Sequence, residues 1–419
     1  MGFIEIKSER FNEKYYALHH RSGLHIFVYP KKEFQSAFAI IGTKFGSVNS
    51  EFISHGEKIS VPDGIAHYLE HKLFESEDGD AFSKYAKTGA SANAFTSFNT
   101  TCYLFSCTQQ FETSLEILLD LITTPYFTKE TVAKEQGIIG QEIKMYDDSP
   151  DWRSMMNVLT AMYQNHPVNK DIAGTVETIA NITPEALYQC YNAYYNLNNM
   201  YLSVVGNVDP ETVLKIADEK LKIAEPFDTV SVFPEEPYAV AQSFIEQKLD
   251  VTIPLFQLGF KHRPQEKYTE KDYACMDILL AAFTSESSQL YRELLDAELI
   301  NATFNAEFFS GDHYEGVIFS GESNNPEKTA DYIRSAVRKL HETGLSQTDF
   351  EWAKRDVYGR NISVLNKNSD TANVMMTYAF NDCELFKSIE AVADLTLDDV
   401  NRFLENRLDA DNTALSIVR

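Results

Sequence analysis

The stretch that decides the fold of this chain is Gly64-Ile65-Ala66-His67-Tyr68-Leu69-Glu70-His71-Lys72-Leu73-Phe74-Glu75. Its apolar residues recur at helical spacing at four positions: Ile65, Tyr68, Leu69 and Leu73. This pattern predicts an amphipathic helix whose apolar side packs inward, and Asp63 is the expected N-cap residue. Because residues four apart share one face of a helix, the two histidines are predicted to lie side by side, with Glu70 at the border of that face.

The order H-x-x-E-H is the inverse of the zinc-binding signature H-E-x-x-H. A catalytic zinc ion takes three protein ligands and keeps one position open for water. The spacing therefore predicts His67 and His71 as two ligands and Glu70 as the general base that accepts a proton from the activated water. The alternative is an ordinary surface helix that carries His and Glu, and a third ligand would decide between the two readings.

A third ligand is expected on a separate element, and residues 128–144 predict a helix that begins with Thr128 as its N-cap. Glu135 and Glu142 are two helical turns apart on one face of this helix, roughly 10 Å from each other. Both cannot bind one ion directly, so one would be the ligand and the other would orient a histidine. A solvated helix face is the alternative for either glutamate.

This combination of H-x-x-E-H with two later glutamates seven residues apart resembles the pitrilysin family of zinc peptidases. That family includes insulin-degrading enzyme and the mitochondrial processing peptidases. The resemblance implies that Zn2+ is the cofactor, that Glu142 is the third ligand, and that Glu135 supports the site. It extends over nearly the whole chain and implies two similar α+β domains that form half of a clamshell.

Residues 90–105 are rich in Thr, Phe and Tyr, contain no proline, and predict a β-strand. They resemble the substrate-binding edge strand of the same family. The resemblance implies that Asn93, Ala94, Phe95 and Thr96 bind a peptide, which would add to the sheet as an extra strand. An ordinary sheet strand is the alternative.

The chain predicts an α+β fold with an internal duplication. Thr183 and Val205 recur as Thr396 and Val418, in both cases 213 positions later (396 − 183 and 418 − 205). Each copy predicts a helix, a short turn and an apolar strand. We therefore expect a zinc-binding domain at 1–223 and a homologous domain without metal at 238–419, each an antiparallel-rich sheet packed with helices. The proline- and acid-containing stretch at about 224–237 is the expected linker.

Shorter elements are predicted within the first domain. Residues 24–29 and 37–41 predict strands, and residues 111–121 predict a helix. Helices and antiparallel strands in separate runs are typical of α+β proteins.

The second half lacks a pair of residues that the family resemblance leads us to expect. In that family an arginine and a tyrosine seven residues apart help to hold the substrate, and the matching positions here are Leu295 and Ala302. Neither side chain can donate a hydrogen bond to an oxyanion, and the loss of one such donor lowers the rate by about 10²–10³. We therefore expect a homologous partner subunit to supply the pair. The alternative is a self-sufficient enzyme that uses other donors, such as Arg292 or Tyr314.

Composition restricts the partners and the location of the protein. The net charge of −25 disfavours binding to nucleic acids and to anionic membranes. No apolar stretch approaches about 18 residues, so no membrane span is predicted. The N-terminus lacks the features of a signal peptide, and the five cysteines are dispersed, which together favour a cytoplasmic protein with reduced thiols.

Two functions follow from these observations. The first is a zinc-dependent endopeptidase that hydrolyses peptides or small unfolded proteins in an enclosed chamber, as the zinc-bearing subunit of a heterodimer. The second is a non-catalytic structural subunit of a complex, similar to the core proteins of respiratory complexes. A structural subunit has no need of His67, Glu70, His71 and Glu142 together, so their joint presence favours the peptidase.

Overall fold

The computed structural model describes residues 2–419. Its strands are β1 Ile4–Ser8, β2 Glu13–His19, β3 His25–Pro30, β4 Ala37–Thr43, β5 Glu51–Ser54, β6 Glu57–Ser60, β7 Glu75–Ser76, β8 Gly79–Asp80, β9 Ser91–Thr96, β10 Thr101–Cys107, β11 Met200–Gly206, β12 Val230–Ser231, β13 Phe244–Gln247, β14 Leu255–Lys261, β15 Asn305–Gly311, β16 Tyr314–Glu322 and β17 Thr413–Val418. Its α-helices are α1 Ile65–Leu73, α2 Ala81–Thr88, α3 Phe111–Thr123, α4 Lys129–Asp147, α5 Pro150–Met162, α6 Val176–Ile179, α7 Pro184–Tyr194, α8 Pro210–Lys220, α9 Glu270–Thr284, α10 Gln289–Asp296, α11 Pro326–Thr343, α12 Gln347–Val364, α13 Asn368–Phe380, α14 Leu385–Asp394 and α15 Leu397–Leu404.

The chain divides into two compact units. The first comprises residues 1–143, 171–232 and 363–386, and the second comprises residues 144–170, 233–362 and 387–419. The predicted boundaries at 223 and 238 describe the duplication in the sequence, whereas the two units describe how the chain packs. The boundaries therefore stay a prediction.

The first unit is built on a seven-stranded sheet with the order β1-β2-β3-β11-β4-β10-β9. All neighbouring strands are antiparallel except β3 and β11, which are parallel. The interior strand β4 is buried along its whole length, in agreement with its apolar sequence. At the far edge, β9 alternates between exposed and half-buried residues, which is the pattern of a strand with one solvated face.

The second unit is built on a five-stranded sheet with the order β13-β17-β14-β16-β15. Its strands repeat the connections of the first sheet, since β13 and β17 are parallel and the other pairs are antiparallel. The α9 helix lies in the core of this unit, together with apolar residues of α11 and α12. The prediction of an α+β chain with two similar, antiparallel-rich domains is therefore confirmed.

Two helices are exchanged between the halves of the sequence. The α5 helix packs on β14 and β17 of the second unit, and α13 packs on β4 and β11 of the first. Each contact depends on a glycine: a Cβ atom at Gly42 of β4 would lie 2.9 Å from Cζ of Phe380, and one at Gly259 of β14 would lie 2.2 Å from Sδ of Met162. In each unit a glycine of the sheet faces a large side chain of the exchanged helix, so the exchange is reciprocal. No local sequence pattern predicts it.

The expected linker at about 224–237 contains a short strand and makes specific hydrogen bonds. Within it, Val230–Ser231 forms β12, which pairs with β5. Further along, the carboxylate of Glu236 accepts hydrogen bonds from three successive backbone amides, those of Gln164, Asn165 and His166, and from Nζ of Lys261. These bonds fix the C-terminal part of the segment within the second unit.

Two local expectations were wrong. The N-cap of α1 is Gly64, with φ of 90° and no side-chain cap, so Asp63 does not cap the helix. Residues 90–105 are not one strand: β9 and β10 form an antiparallel hairpin, and only β9 lies at the edge of the sheet. The short turn at residues 97–100 is held by hydrogen bonds between Ser97 and Thr100, a type of local bond that competes with a continuous strand.

Candidate metal centre

The helix α1 is held against the helix α4 by both packing and a hydrogen bond. The apolar residues of α1 are buried as the periodicity predicted, and Lys72 is buried as well. Tyr68 donates its phenol proton to the carbonyl oxygen of Val132 over 2.5 Å. Thr128 accepts a hydrogen bond from the Thr131 amide over 3.2 Å, as expected of the residue that caps α4. These contacts set the distance between the two helices that carry the candidate ligands.

The structure brings together three of the predicted site residues. Nε2 of His67 lies 3.6 Å from Oε1 of Glu142, and Nε2 of His71 lies 3.3 Å from Oε2 of the same carboxylate. One ligand atom from each of the three residues lies within 4.8 Å of the other two. Ligands at about 2.1 Å around a tetrahedral zinc ion are roughly 3.4 Å apart, so the donor set fits such an ion.

Glu135 lies behind this group. Its Oε1 atom is 3.0 Å from Nδ1 of His71. If Nδ1 carries the proton, the lone pair of Nε2 points toward Glu142, which is the orientation that a metal ligand needs. Of the two glutamates left open by the sequence, the structure places Glu142 among the donor atoms and Glu135 behind His71.

The electrostatics of the group favour a positive charge at its centre. Burial by itself lowers the pKa of His71, but its hydrogen bonds to Glu135 and Glu142 outweigh burial and raise that pKa to about 9. The hydrogen bond to His71 holds the pKa of Glu135 below its usual range. A divalent cation would supply the positive charge that a proton on His71 otherwise supplies, so the charge balance also fits a metal ion.

Glu70 occupies a different position from the ligands. Its Oε2 atom accepts a hydrogen bond of 2.7 Å from the hydroxyl of Thr96, which ends β9. Burial raises the pKa of the Glu70 carboxyl, and the bond to Thr96 partly opposes this shift. A carboxylate whose pKa is raised by burial is a stronger base than a solvated one, which suits a group that accepts and releases protons beside a cation site.

The residues predicted to bind a peptide lie at the edge of the first sheet. Phe95 and Asn93 are exposed on β9, whereas Ala94 and Thr96 are half-buried. Since β9 is the last strand of its sheet, its outer edge is placed to pair with an extended peptide. The side chain of Thr96 is directed to Glu70, whereas its backbone belongs to the edge strand.

The positions that lack the expected arginine and tyrosine lie in the second unit. Leu295, in α10, has 44% of its surface exposed, and Ala302 is also exposed. The two alternative donors are engaged elsewhere. Tyr314 is only 1% exposed, and Arg292 donates to the backbone carbonyls of Ser287 and Ser288 at the start of its own helix.

Two contacts of this site are not predictable from the sequence. The bond from Tyr68 to Val132 and the bond from Thr96 to Glu70 join residues that are 64 and 26 positions apart. No local pattern signals either bond, because both depend on how the elements pack.

Family models match both halves of the chain. Residues 55–176 match the family model described as Insulinase (Peptidase family M16), and residues 181–357 match the model of the Peptidase M16 inactive domain. The chain is 39% identical to the uncharacterized zinc protease YmfH of Bacillus subtilis over 97% of this chain and 96% of that protein. It is 25% identical to the zinc protease PqqE of Helicobacter pylori over 75% of this chain and 73% of that protein.

Solved structures show the same fold. An M16-like peptidase from Alicyclobacillus acidocaldarius aligns with a TM-score of 0.92 and 32% identity, covering 100% of this chain and 98% of that one. Pitrilysin aligns with a TM-score of 0.76 and 17% identity over 100% of this chain and 46% of that one. A chain of Complex III2 from Candida albicans aligns with a TM-score of 0.74 and 13% identity over 96% of this chain and 95% of that one. Among residues 2–419, no helix is long and apolar enough to cross a membrane.

Proposed function

Because this chain belongs to peptidase family M16, we propose that it is a zinc-dependent endopeptidase in which His67, His71 and Glu142 bind the metal and Glu70 is the general base. The observation that carries the proposal is the convergence of three donor atoms within 4.8 Å of one another, with Glu70 on the same helix. The names of the relatives as zinc proteases support the choice of metal.

The chemistry divides among the residues in a simple way. Zinc, when bound, lowers the pKa of a coordinated water to about 7 and polarises the peptide carbonyl. Glu135 holds His71 through Nδ1 so that Nε2 faces the site. Glu70, whose Oε2 is engaged by Thr96, uses Oε1 to take the proton from the attacking water and then delivers it to the leaving amine. The substrate pairs with the outer edge of β9, which aligns the scissile bond with these groups.

We further propose that the active enzyme is a heterodimer with a homologous subunit that supplies the arginine and the tyrosine. Support comes from the exposed leucine and alanine at positions 295 and 302 and from the engagement of Arg292 and Tyr314 elsewhere. The substrates would be peptides or small unfolded proteins enclosed between the subunits. A cytoplasmic location, favoured by the five dispersed cysteines, stays a prediction.

A non-catalytic subunit is the second candidate, and it is favoured by the match of residues 181–357 to an inactive domain and by the fold shared with a chain of Complex III2. The inactive-domain match ends before α13 and begins after the zinc-site residues, so it covers none of the four residues His67, Glu70, His71 and Glu142. A subunit with a purely structural role has no use for their arrangement, and for this reason we prefer the peptidase.

The test is metal analysis combined with a substitution of the base. The purified protein should contain about one zinc ion per chain. Glu70→Gln should keep the zinc and lower cleavage of internally quenched peptides by at least about 10²-fold. Glu77→Gln, an exposed glutamate seven positions later, is the matched control and should behave as the unmodified protein.

Two results would contradict the proposal. Absence of zinc after gentle purification would contradict the assignment of the metal site. Near-normal cleavage by Glu70→Gln would contradict the assignment of Glu70 as the base. The heterodimer is tested separately by affinity capture from native extract, in which a homologous chain with the arginine and tyrosine should co-purify and raise activity. Full activity of the isolated chain would refute the divided site.

A further inference from the structure

Thr96 links the edge strand β9 to the carboxylate of Glu70. Thr96 is the last residue of β9 and pairs with Thr101 of β10 in the antiparallel ladder. The backbone of Thr96 therefore belongs to the strand that would receive a peptide. Its hydroxyl lies 2.7 Å from Oε2 of Glu70. One residue thus touches both the predicted peptide-binding edge and the predicted base.

The neighbouring groups fix the direction of this hydrogen bond. Thr101 is fully buried and donates its hydroxyl proton to the carbonyl oxygen of Phe45 over 2.8 Å. Its oxygen lies 3.5 Å from the hydroxyl oxygen of Thr96, at the outer limit of a hydrogen bond. Since an ionised carboxylate can only accept, the proton of Thr96 is directed to Glu70. The hydroxyl of Thr96 is therefore already committed before any peptide arrives.

We propose that Thr96 is a positioning residue that holds Glu70 in the orientation needed for proton transfer, and that a peptide paired with β9 strengthens this hold. The inference rests on the proposed function. A glutamate side chain has three rotatable bonds, and a single charge-assisted hydrogen bond to one oxygen restricts the carboxylate strongly. The other oxygen then faces the reacting water in a constant position.

Two consequences distinguish positioning from direct substrate binding. Loss of the hydroxyl should lower kcat and leave KM nearly unchanged, because the bond acts on the base and not on the peptide. In addition, peptides long enough to pair along β9 should be cleaved with a higher kcat than short ones, since remote pairing energy orders the strand that carries Thr96. Without the hydroxyl, this dependence of kcat on peptide length should disappear.

The experiment compares Thr96→Val, which keeps the shape of the side chain, with Thr96→Ser, which keeps the hydroxyl. Thr108→Val is the matched control, because Thr108 is exposed after the end of β10. Each variant is assayed as the full chain, alone and with any homologous chain that co-purifies, on a length series of quenched peptides. Zinc affinity is measured by competition with a chromogenic chelator, and the position of Glu70 is determined by crystallography.

We expect kcat of Thr96→Val to fall about 10- to 100-fold, with KM changed less than about 2-fold. Thr96→Ser should recover kcat to within about 3-fold, and Thr108→Val should match the unmodified protein. Zinc affinity should stay within about 2-fold in all three variants, and Glu70 should be displaced or in two conformers only in Thr96→Val. Thr96→Ala replaces Thr96→Val where the latter does not fold.

Other outcomes overturn the inference. A kcat of Thr96→Val within about 3-fold of normal would show that the bond to Glu70 does not matter for turnover. A raised KM with an unchanged kcat would make Thr96 a substrate-binding residue. If the unmodified complex cleaves no peptide, the proposed function fails, and the crystal structures still decide the inference: an unmoved Glu70 in Thr96→Val refutes the positioning role, and a displaced one supports it.

Discussion

Removal of the Glu135 carboxylate should weaken zinc binding without removing a ligand. Its Oε1 atom lies 3.0 Å from Nδ1 of His71, and both side chains are shielded from solvent, with 10% and 23% of their surfaces exposed. Loss of a carboxylate that orients a ligating histidine typically lowers metal affinity by 10- to 100-fold. We expect Glu135→Ala to show this full loss, which corresponds to about 1.4–2.7 kcal/mol of binding free energy.

Glu135→Gln separates the two contributions of this carboxylate. The glutamine carbonyl can still accept the Nδ1 proton and hold the ring, but it carries no charge to raise the basicity of His71. The loss of affinity should therefore be intermediate, roughly 3- to 10-fold. Glu130→Gln, an exposed residue in the first turn of the same helix, is the control and should bind zinc normally.

The assay is competition between the metal-depleted protein and a chromogenic zinc chelator at fixed pH. The order of affinities should be unmodified protein, then Glu135→Gln, then Glu135→Ala. Zinc binding by Glu135→Ala within 2-fold of the unmodified protein would refute the reasoning, since it would mean that the packing of α1 against α4 alone orients His71.

Three further predictions concern stability. A Cβ atom at Gly64, where φ is 90°, would lie 2.4 Å from the carbonyl oxygen of Ala173, so Gly64→Ala should lower the free energy of unfolding in urea by about 1–3 kcal/mol. Gly137→Ala, in an exposed helical position with open space, should instead raise it by roughly 0.5–1 kcal/mol, and equal effects of the two substitutions would contradict this explanation. Burial lowers the pKa of His166 to about 4, so the folded state favours the neutral imidazole and the free energy of unfolding should fall as the pH drops from about 6.5 toward 4. His166→Gln should flatten this pH dependence, and an unchanged slope would assign the effect to other groups. Zinc at 100 times its dissociation constant should raise the free energy of unfolding by about 2.7 kcal/mol. At the same zinc concentration the Glu142→Gln variant should be stabilised by less than about 1 kcal/mol, and equal stabilisation of both proteins would place the metal elsewhere.

Several elements of the first unit were predictable from the sequence. The predicted strands at 24–29 and 37–41 and the helix at 111–121 correspond to β3, β4 and α3, with ends displaced by two residues at most. Such elements are predictable because hydrophobic periodicity is a local property. The glycine N-cap of α1 and the hairpin at residues 90–105 were not predictable in this way. The same local composition is compatible with an aspartate cap or a left-handed glycine, and with one strand or two strands joined by a four-residue turn.

The sequence by itself determined the chemistry of α1. The spacing of His67, Glu70 and His71 on a helix places two imidazoles and a carboxylate along one side of it, whatever the rest of the chain does. The resemblance of the motif to zinc peptidases also singled out Glu142 and Glu135 on α4, although it gave them no position in space. The prediction for α1 depends only on helical geometry and residue type, whereas the choice of Glu142 as ligand depends on the family resemblance.

Only the tertiary structure decided how these parts meet. Tyr68 joins α1 to α4, Thr96 of a distant strand holds Glu70, and the helices α5 and α13 pack on the sheet of the other half of the sequence. The physical reason is the same in each case. A local pattern records which face of an element is apolar, but which partner covers that face is set by the packing of residues far apart in the chain.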